Sequence, residues 1–317
     1  MDIERFINLP VEQVAQVVRS AGPKVCVFPI NGTRRWFLLE HPPERWGGRN
    51  FLNAYHQLSV ERQLEIYRMF FNHGIDTLMM PLLGPDLMER GPEYQQVILG
   101  ALVEMATEPV FLNFYEEYGV RVRFYGDYRK HLGCTPFAYA CDAFDRLAEK
   151  TAHNDRFRLF YGLFAHDATE TTAALSVRFY LEHGVLPDKR KLIEMYYGEF
   201  VSPVSLFIGF DKFSAFDMPL VSSGSEDLYF TVSPSFSLNE NQLRSILYDH
   251  LFTRRFEEQD YEMLTPEAVE WMRSFYQTNQ DVVLGVGVIR DGIWYPLTGE
   301  SISPSFEASA LEARVGG

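Results

Sequence analysis

Cysteine is scarce in this sequence: Cys26, Cys134 and Cys141 are the only three in 317 residues. An odd number without paired Cys-x-x-Cys spacing excludes a disulfide framework, a zinc cluster and a thioredoxin-like redox centre. Reduced, partly buried thiols remain. Positive charge is also in deficit, with a net charge of −14. A polyanion-binding surface is therefore excluded, so no nucleic-acid partner is expected, and any phosphate must meet a local cluster of Lys and Arg. Long apolar runs are missing, since none approaches the roughly 18 residues needed to span a bilayer. The start, MDIERFINLP, has neither the basic beginning nor the apolar stretch of a signal peptide. A cytoplasmic protein without a membrane span is expected. Low-complexity linkers, charge blocks and internal repeats are absent as well, which makes one domain over residues 1–300 the economical reading, with a loose tail at 301–317.

What the chain does have is apolar bulk. Its hydrophobic fraction is 46%, enough for a sizeable core, and aromatics reach 15%, with 26 Phe and 17 Tyr. Such a content suits a bulky core; it also suits a greasy cavity with π faces, and composition does not choose between them.

The periodicity alternates. Residues 11–20 carry apolar positions at helical spacing, and 24–30 (KVCVFPI) form a short buried run with the character of a strand. Helical spacing returns at 52–73, 92–117, 136–150, 168–183, 189–198, 238–256 and 265–277. Strand-like runs fall at 75–83, 120–126, 156–164, 204–210 and 227–232, and 282–296 has the pattern of a terminal hairpin turning near Asp291-Gly292. Strands alternating with helices predict an α/β fold: a mostly parallel six-stranded sheet flanked by helices. Ligands of such sheets sit beyond the carboxyl ends of the strands.

The end of the first strand reads Pro29-Ile30-Asn31-Gly32-Thr33-Arg34-Arg35-Trp36. Gly32 lets the backbone turn tightly and approach a ligand. A helix opening there would aim free N–H groups at one point and favour an anion. Arg34 and Arg35 add planar donor forks that match phosphate oxygens. Gly32, Thr33, Arg34 and Arg35 thus form a candidate diphosphate cradle. The same residues also suit a surface turn with solvated arginines. His166-Asp167 with Glu170 is a second polar cluster near a strand end, and reads as a helix cap.

These residues carry a resemblance. Asn31-Gly32-Thr33-Arg34-Arg35-Trp36, Val122-Arg123-Phe124-Tyr125-Gly126-Asp127, and Phe207-Ile208 with Asp227-Leu228-Tyr229-Phe230 fall in the order of the cis-prenyltransferase motifs, over about residues 24–255. Gly22-Pro23-Lys24-Val25, Ser222-Ser223-Gly224, Ile246-Leu247-Tyr248-Asp249-His250 and Asp291-Gly292-Ile293-Trp294 resemble a narrower branch, the tuberculosinol synthases and tuberculosinyl adenosine transferases. The resemblance implies an undecaprenyl diphosphate synthase-like fold, a homodimer with the late helices at its interface, and Mg2+ as cofactor. It implies that Tyr55, at the opening of the second helix, is an active-site phenol, and that Asp227 stands at a metal-binding carboxylate. Phe37, Phe70, Phe124 and Tyr125 are then candidates for lining a pocket whose π faces stabilise an allylic cation. Tyr55 equally suits a helix-edge tyrosine, and Asp227 a surface carboxylate at a strand start.

Departures sharpen the expectation. Chain-elongating relatives hold a second diphosphate with two arginines in Arg-x-Ser-Gly-Glu-x-Arg-x-Ser; here that stretch runs from Gly209 to Asp217 and retains only Lys212 as a cation. Their Asn-Trp-x-Arg has become Leu87-Met88-Glu89-Arg90. A second diphosphate would be poorly paired, which argues against elongation. Asn31 replaces the Asp that this family uses to bind magnesium, keeping a carbonyl oxygen but losing the charge. Three readings follow: another group serves, the chain is an inactivated variant that traps substrate, or it only binds. The second is favoured, because the rest of the cradle is intact.

The expected reaction is ionisation of a bicyclic twenty-carbon allylic diphosphate. Kolavenyl diphosphate is favoured as substrate, with capture by water giving a diterpene alcohol such as kolavelool. Transfer to adenosine and a catalytically silent partner subunit are the alternatives, with phosphatase chemistry weaker. Neither Asp-Asp-x-x-Asp nor Asp-x-Asp-Asp occurs, so the ring system is expected from an upstream class II diterpene cyclase.

Overall fold

A computed structural model describes residues 1–22, 24–89, 91–255 and 260–297. Pro23, Arg90 and the expected tail at 301–317 lie outside the described residues. Helices α1 (Ile3–Ile7) and α2 (Val11–Ser20) lead into β1 (Val25–Val27), and α3 (Thr33–Glu40) and α4 (Phe51–Asn72) return the chain to β2 (Thr77–Leu83). Then come α5 (Pro92–Thr107), α6 (Pro109–Tyr118) and β3 (Val120–Tyr125), followed by α7 (Tyr128–Leu132), α8 (Tyr139–Lys150) and β4 (Phe157–Leu163). Helices α9 (Thr169–His183) and α10 (Lys189–Tyr197) precede β5 (Leu206–Phe210) and β6 (Asp227–Thr231). The described chain closes with α11 (Glu240–Tyr248), α12 (Pro266–Asn279) and the antiparallel hairpin β7 (Gly287–Arg290) and β8 (Ile293–Pro296).

The six long-range strands pair in the order β3-β4-β2-β1-β5-β6, every pair parallel. β1 and β5 are buried at every position, as a parallel strand covered on both faces must be, whereas the edge strand β3 alternates buried and half-buried residues. Successive side chains along each strand enter different cores. Cys26, Phe28, Leu78, Met80, Phe124, Leu159 and Tyr161 join the larger cluster with α4 and α5; Val25, Val27, Met79, Tyr125, Phe160 and Phe207 join a smaller one with α10. A fully buried phenylalanine such as Phe70 contributes about 1.5–3 kcal/mol through removal of its ring from water.

Two boundaries differ from the periodicity. The helix expected over 92–117 is broken at Glu108, and its halves meet at 45°. Pro109 is the cause: it removes an N–H and holds Glu108 in an extended conformation. The first strand shortens to three ladder residues because Pro29 cannot donate to β2. Among the described residues no single helix is long and apolar enough to cross a membrane.

Candidate diphosphate site

The strand order reverses direction at β1. From there the chain builds outward first through β2 and later through β5, so the carboxyl ends of β1 and β5 flank the crevice where open parallel sheets bind ligands. Both ends carry polar groups. Beyond β1, the chain through Pro29 and Asn31 is tied down by Ser235, 1% exposed, from the segment after β6. The Ser235 hydroxyl accepts from the Asn31 N–H at 3.0 Å and donates to the Pro29 carbonyl at 3.0 Å. The Ser235 N–H donates to the Asn31 carbonyl at 3.1 Å. Gly32 follows in a left-handed conformation (φ 73°) as the N-cap of α3. A Cβ there would sit 2.5 Å from the Phe210 ring, so only glycine lets the two loops close on each other.

Gly32 has no side chain with which to cap the first turn of α3. That is the arrangement in which a helix start favours an anion. Arg34 is exposed on the first turn. Arg35 is half-buried and turned inward: its Nη2 donates to Asp211 Oδ2 at 2.7 Å, and its guanidinium lies 5.0 Å from the Phe210 ring centroid. Thr33 Oγ1 shares a 2.6 Å hydrogen bond with the Tyr55 hydroxyl, which brings α4 to the cradle. Tyr55 packs on Phe37, with centroids 5.5 Å apart, and on Phe51 at 6.0 Å. Thus Asn31, Gly32, Thr33, Arg35 and Tyr55, distant by helical period alone, share one corner of the molecule.

The expected pocket residues divide. Phe37 and Phe70 belong to the larger core beneath this corner, Phe70 against Phe28 at 5.0 Å. Phe124 is in the same core but on β3, three strand spacings from β1 (about 14 Å), stacked on Phe144 at 4.2 Å. Tyr125 lies across the sheet in the smaller core, with its hydroxyl donating to the Asp217 carbonyl at 2.8 Å. Adjacent residues of a strand face opposite sides, so Phe124 and Tyr125 do not line one pocket. Cavities of about 390 and 410 Å³ open at the amino-terminal end of the sheet, and neither is lined by a cradle residue.

The pairing of Asn31 with Asp227 around one metal needs correction. Asp227 begins β6 and is level with Leu206 and Cys26, whereas Asn31 lies five residues beyond Cys26 on the far side of the sheet end. At about 3.3 Å per strand residue, the two are on the order of 15 Å apart within one chain. Asp227 is occupied instead: the buried His250 ring lies with Nδ1 2.6 Å from its Oδ2, and Arg255 Nη2 donates to the same oxygen at 2.8 Å. Burial pushes the His250 pKa below its ordinary value, which favours the neutral ring donating from Nδ1. Asp167 Oδ1 accepts from the Thr169 N–H at 2.9 Å at the start of α9, while the His166 charge acts on Asp217.

Three residues that sequence reasoning did not single out complete the corner: Phe210, Asp211 and Ser235. Phe210 ends β5 and Asp211 follows it, and the polar Asp211-Lys212 step after an apolar strand was their only signal. Asp211 also supplies a test of the implied Mg2+. Its Oδ1 is buried and has no hydrogen-bond partner, while its Oδ2 is held by Arg35 on the first turn of α3. Magnesium is commonly held by one or two carboxylates together with substrate phosphates, and this donor set fits that description.

No family model matches the chain. Among curated proteins it is 42% identical over 294 residues to the tuberculosinyl adenosine transferase of Mycobacterium tuberculosis (strain CDC 1551 / Oshkosh), covering 92% of this chain and 97% of that protein. It is 26% identical over 297 residues to the (+)-kolavelool synthase of Herpetosiphon aurantiacus, covering 93% and 95%. Among solved structures it is similar to lavandulyl diphosphate synthase from Lavandula x intermedia in complex with dimethylallyl diphosphate, with TM-score 0.59, 16% identity and coverage of 75% of this chain and 98% of that one. A probable undecaprenyl diphosphate synthase from Campylobacter jejuni gives TM-score 0.51 at 15% identity, covering 74% and 96%. With its parallel sheet, its glycine-capped helix at the strand-order reversal and 42% identity over nearly the whole of both chains, this chain belongs to the tuberculosinyl adenosine transferase family, diterpene-related enzymes on the cis-prenyltransferase fold.

Proposed function

We propose that this enzyme ionises a bicyclic twenty-carbon allylic diphosphate at the α3 cradle and transfers the resulting cation to adenosine. The observation that carries the ionisation is the uncapped start of α3, with Gly32 in a left-handed turn and Arg35 drawn inward beside it. Amides and guanidinium groups aimed at one point stabilise negative charge as it builds on a departing diphosphate more than they stabilise the bound ester, and that difference lowers the barrier. The C–O bond breaks heterolytically, its electron pair leaves with the diphosphate, and the allylic fragment keeps the positive charge.

The chain's own residues divide the work. The first-turn amides and Arg34 and Arg35 bind and orient the diphosphate. Tyr55, fixed by Thr33, borders the route of the nucleophile and can hold a proton at its phenolic oxygen. The rings of Phe37 and Phe51 limit water at that wall. Bound magnesium, held by Asp211 and the Asn31 amide oxygen, would neutralise charge on the leaving group. The rings of the hydrocarbon skeleton come from an upstream cyclase, consistent with the lack of an Asp-x-Asp-Asp motif.

Adenosine is favoured as acceptor by the 42% relative, and water by the 26% relative named for kolavelool. Capture by water, with a kolavenyl-type substrate, is the second reading. Purified enzyme given tuberculosinyl or kolavenyl diphosphate, with and without adenosine, separates them by mass analysis of the products. Adenosine-dependent formation of a nucleoside adduct supports transfer, and a free diterpene alcohol supports capture by water. No diphosphate release from either substrate removes both readings.

A further inference from the structure

Asp211 is an aspartate under strain with nothing local to account for it. It follows the last residue of β5 at φ 74°, a left-handed conformation that side chains other than glycine adopt at a cost. Aspartate tolerates this region when its carboxylate bonds to nearby backbone, as in many turns. Here one oxygen, Oδ2, goes instead to Arg35, 176 positions away, and the other, Oδ1, is buried with no hydrogen-bond partner. Strain and an unpaired buried oxygen persist together where the surrounding fold imposes them, and they concentrate at functional sites. The surrounding fold here is the cradle: Phe210, one residue earlier, touches Gly32 and lies under the Arg35 guanidinium. Asn31, the residue before Gly32, carries an uncharged amide.

Resting on the diphosphate reading of this site, we infer that Asp211 is the carboxylate that faces the divalent cation accompanying the diphosphate, supplying from the end of β5 the charge that Asn31 lacks at the end of β1. In the free protein Arg35 neutralises Asp211. When a metal diphosphate enters, the Arg35 guanidinium turns to phosphate oxygens, for which its fork is equally suited, and the Asp211 carboxylate is released to the cation. Charge stays paired in both states, which spares the low-dielectric corner an isolated ion. Asn31 is then a working residue whose charge has moved to a neighbouring strand.

The test uses the full chain, Mn2+ as the cation and inorganic pyrophosphate as the anion. Water-proton relaxation enhancement reports Mn2+ only when the ion sits on the protein, and calorimetry in the presence of a chelator reports pyrophosphate alone. Asp211→Asn puts in its place an amide of the same shape that tolerates the left-handed backbone, and its thermal melt checks folding. We expect Asp211→Asn to weaken protein-bound Mn2+–pyrophosphate about tenfold or more while binding metal-free pyrophosphate as well as wild type, or better because Arg35 is released. Adding Asn31→Asp to Asp211→Asn should restore most of the lost Mn2+ affinity. Equal Mn2+ enhancement in wild type and Asp211→Asn overturns the inference and leaves the cradle standing. A wild-type protein that ignores pyrophosphate altogether overturns the cradle and this inference with it.

Discussion

The two ends of the parallel sheet carry charge in opposite ways. At the amino-terminal end every strongly buried ionic group has an answer. Asp227 is met by His250 and Arg255, with Arg254 at 3.6 Å, and Lys24 Nζ donates to the Ala21 carbonyl at 2.8 Å. Glu199 sits among Arg121, Arg123 and Arg158 at 3.3–3.8 Å. At the carboxyl end the accounts stay open: α3 starts without a side-chain cap from Gly32, and Asp211 keeps one oxygen unpaired. Two cavities, of about 390 and 410 Å³, open at the paired end and not at the candidate site. Space alone is therefore a poor guide to chemistry here. Unanswered hydrogen-bonding capacity is the better one, because it is a cost a fold retains only where something else will meet it.

Substitutions at the two ends should separate activity from stability. Arg35→Ala should reduce kcat/KM for diphosphate release, per folded molecule, by about a thousandfold, the scale of removing a charged group that stabilises a developing anion. Retained activity would collapse the distinction between the ends. Asp227→Ala should do the reverse. Leaving His250 and Arg255 without their shared partner should lower unfolding free energy by about 3–5 kcal/mol in denaturant melts, while activity per folded molecule holds.

Asp217 is the carboxyl-end group whose cost can be read from pH. Burial pushes its pKa up to about 6, from 3.8. The folded state holds the proton across that window while the unfolded chain has lost it, so stability should fall as pH rises from about 4 to 6 and then level off. Asp217→Asn should remove that slope and raise stability at pH 7 by about 3 kcal/mol, measured by melts from pH 4 to 8. The amino-terminal end runs the other way. Burial lowers the His250 pKa below 6.5, so stability drawn from the neutral ring is lost as pH falls through that value. The smallest expected effect is Tyr55→Phe. It removes the hydroxyl bonded to Thr33 and should lower kcat about tenfold without moving the melting temperature by more than about 2 °C; an unchanged kcat would detach α4 from the chemistry.

Much of this was legible in the residues. Strict helical spacing located α2, α4 and α12, and the apolar runs located all six sheet strands, because both periods express a solvent boundary a few residues wide. Gly32 and the two arginines were legible for the same local reason: a tight turn needs glycine, and a phosphate needs a fork. The single helix read over 92–117 failed at Glu108 although Pro109 was in plain view, because continuous apolar spacing outweighed one breaker. Tyr125 carries the aromatic ring expected of a pocket residue, but strand alternation turns it to the opposite core from Phe124. Asp227 was matched to a metal ligand by motif, and the strand polarity placed it at the far end of the sheet.

By itself the sequence determined which segments would be helix and strand, where the chain would turn on Gly32, and which cations would stand beside that turn, since each follows from interactions within a few residues. Only the tertiary structure decided that β5 lies against β1, that Asp211 reaches Arg35 across 176 positions, and that Asp227 belongs with His250. The reason is that parallel strand order is set by how crossover helices pack on the two faces of the sheet, a property of the whole folded chain that no local pattern encodes.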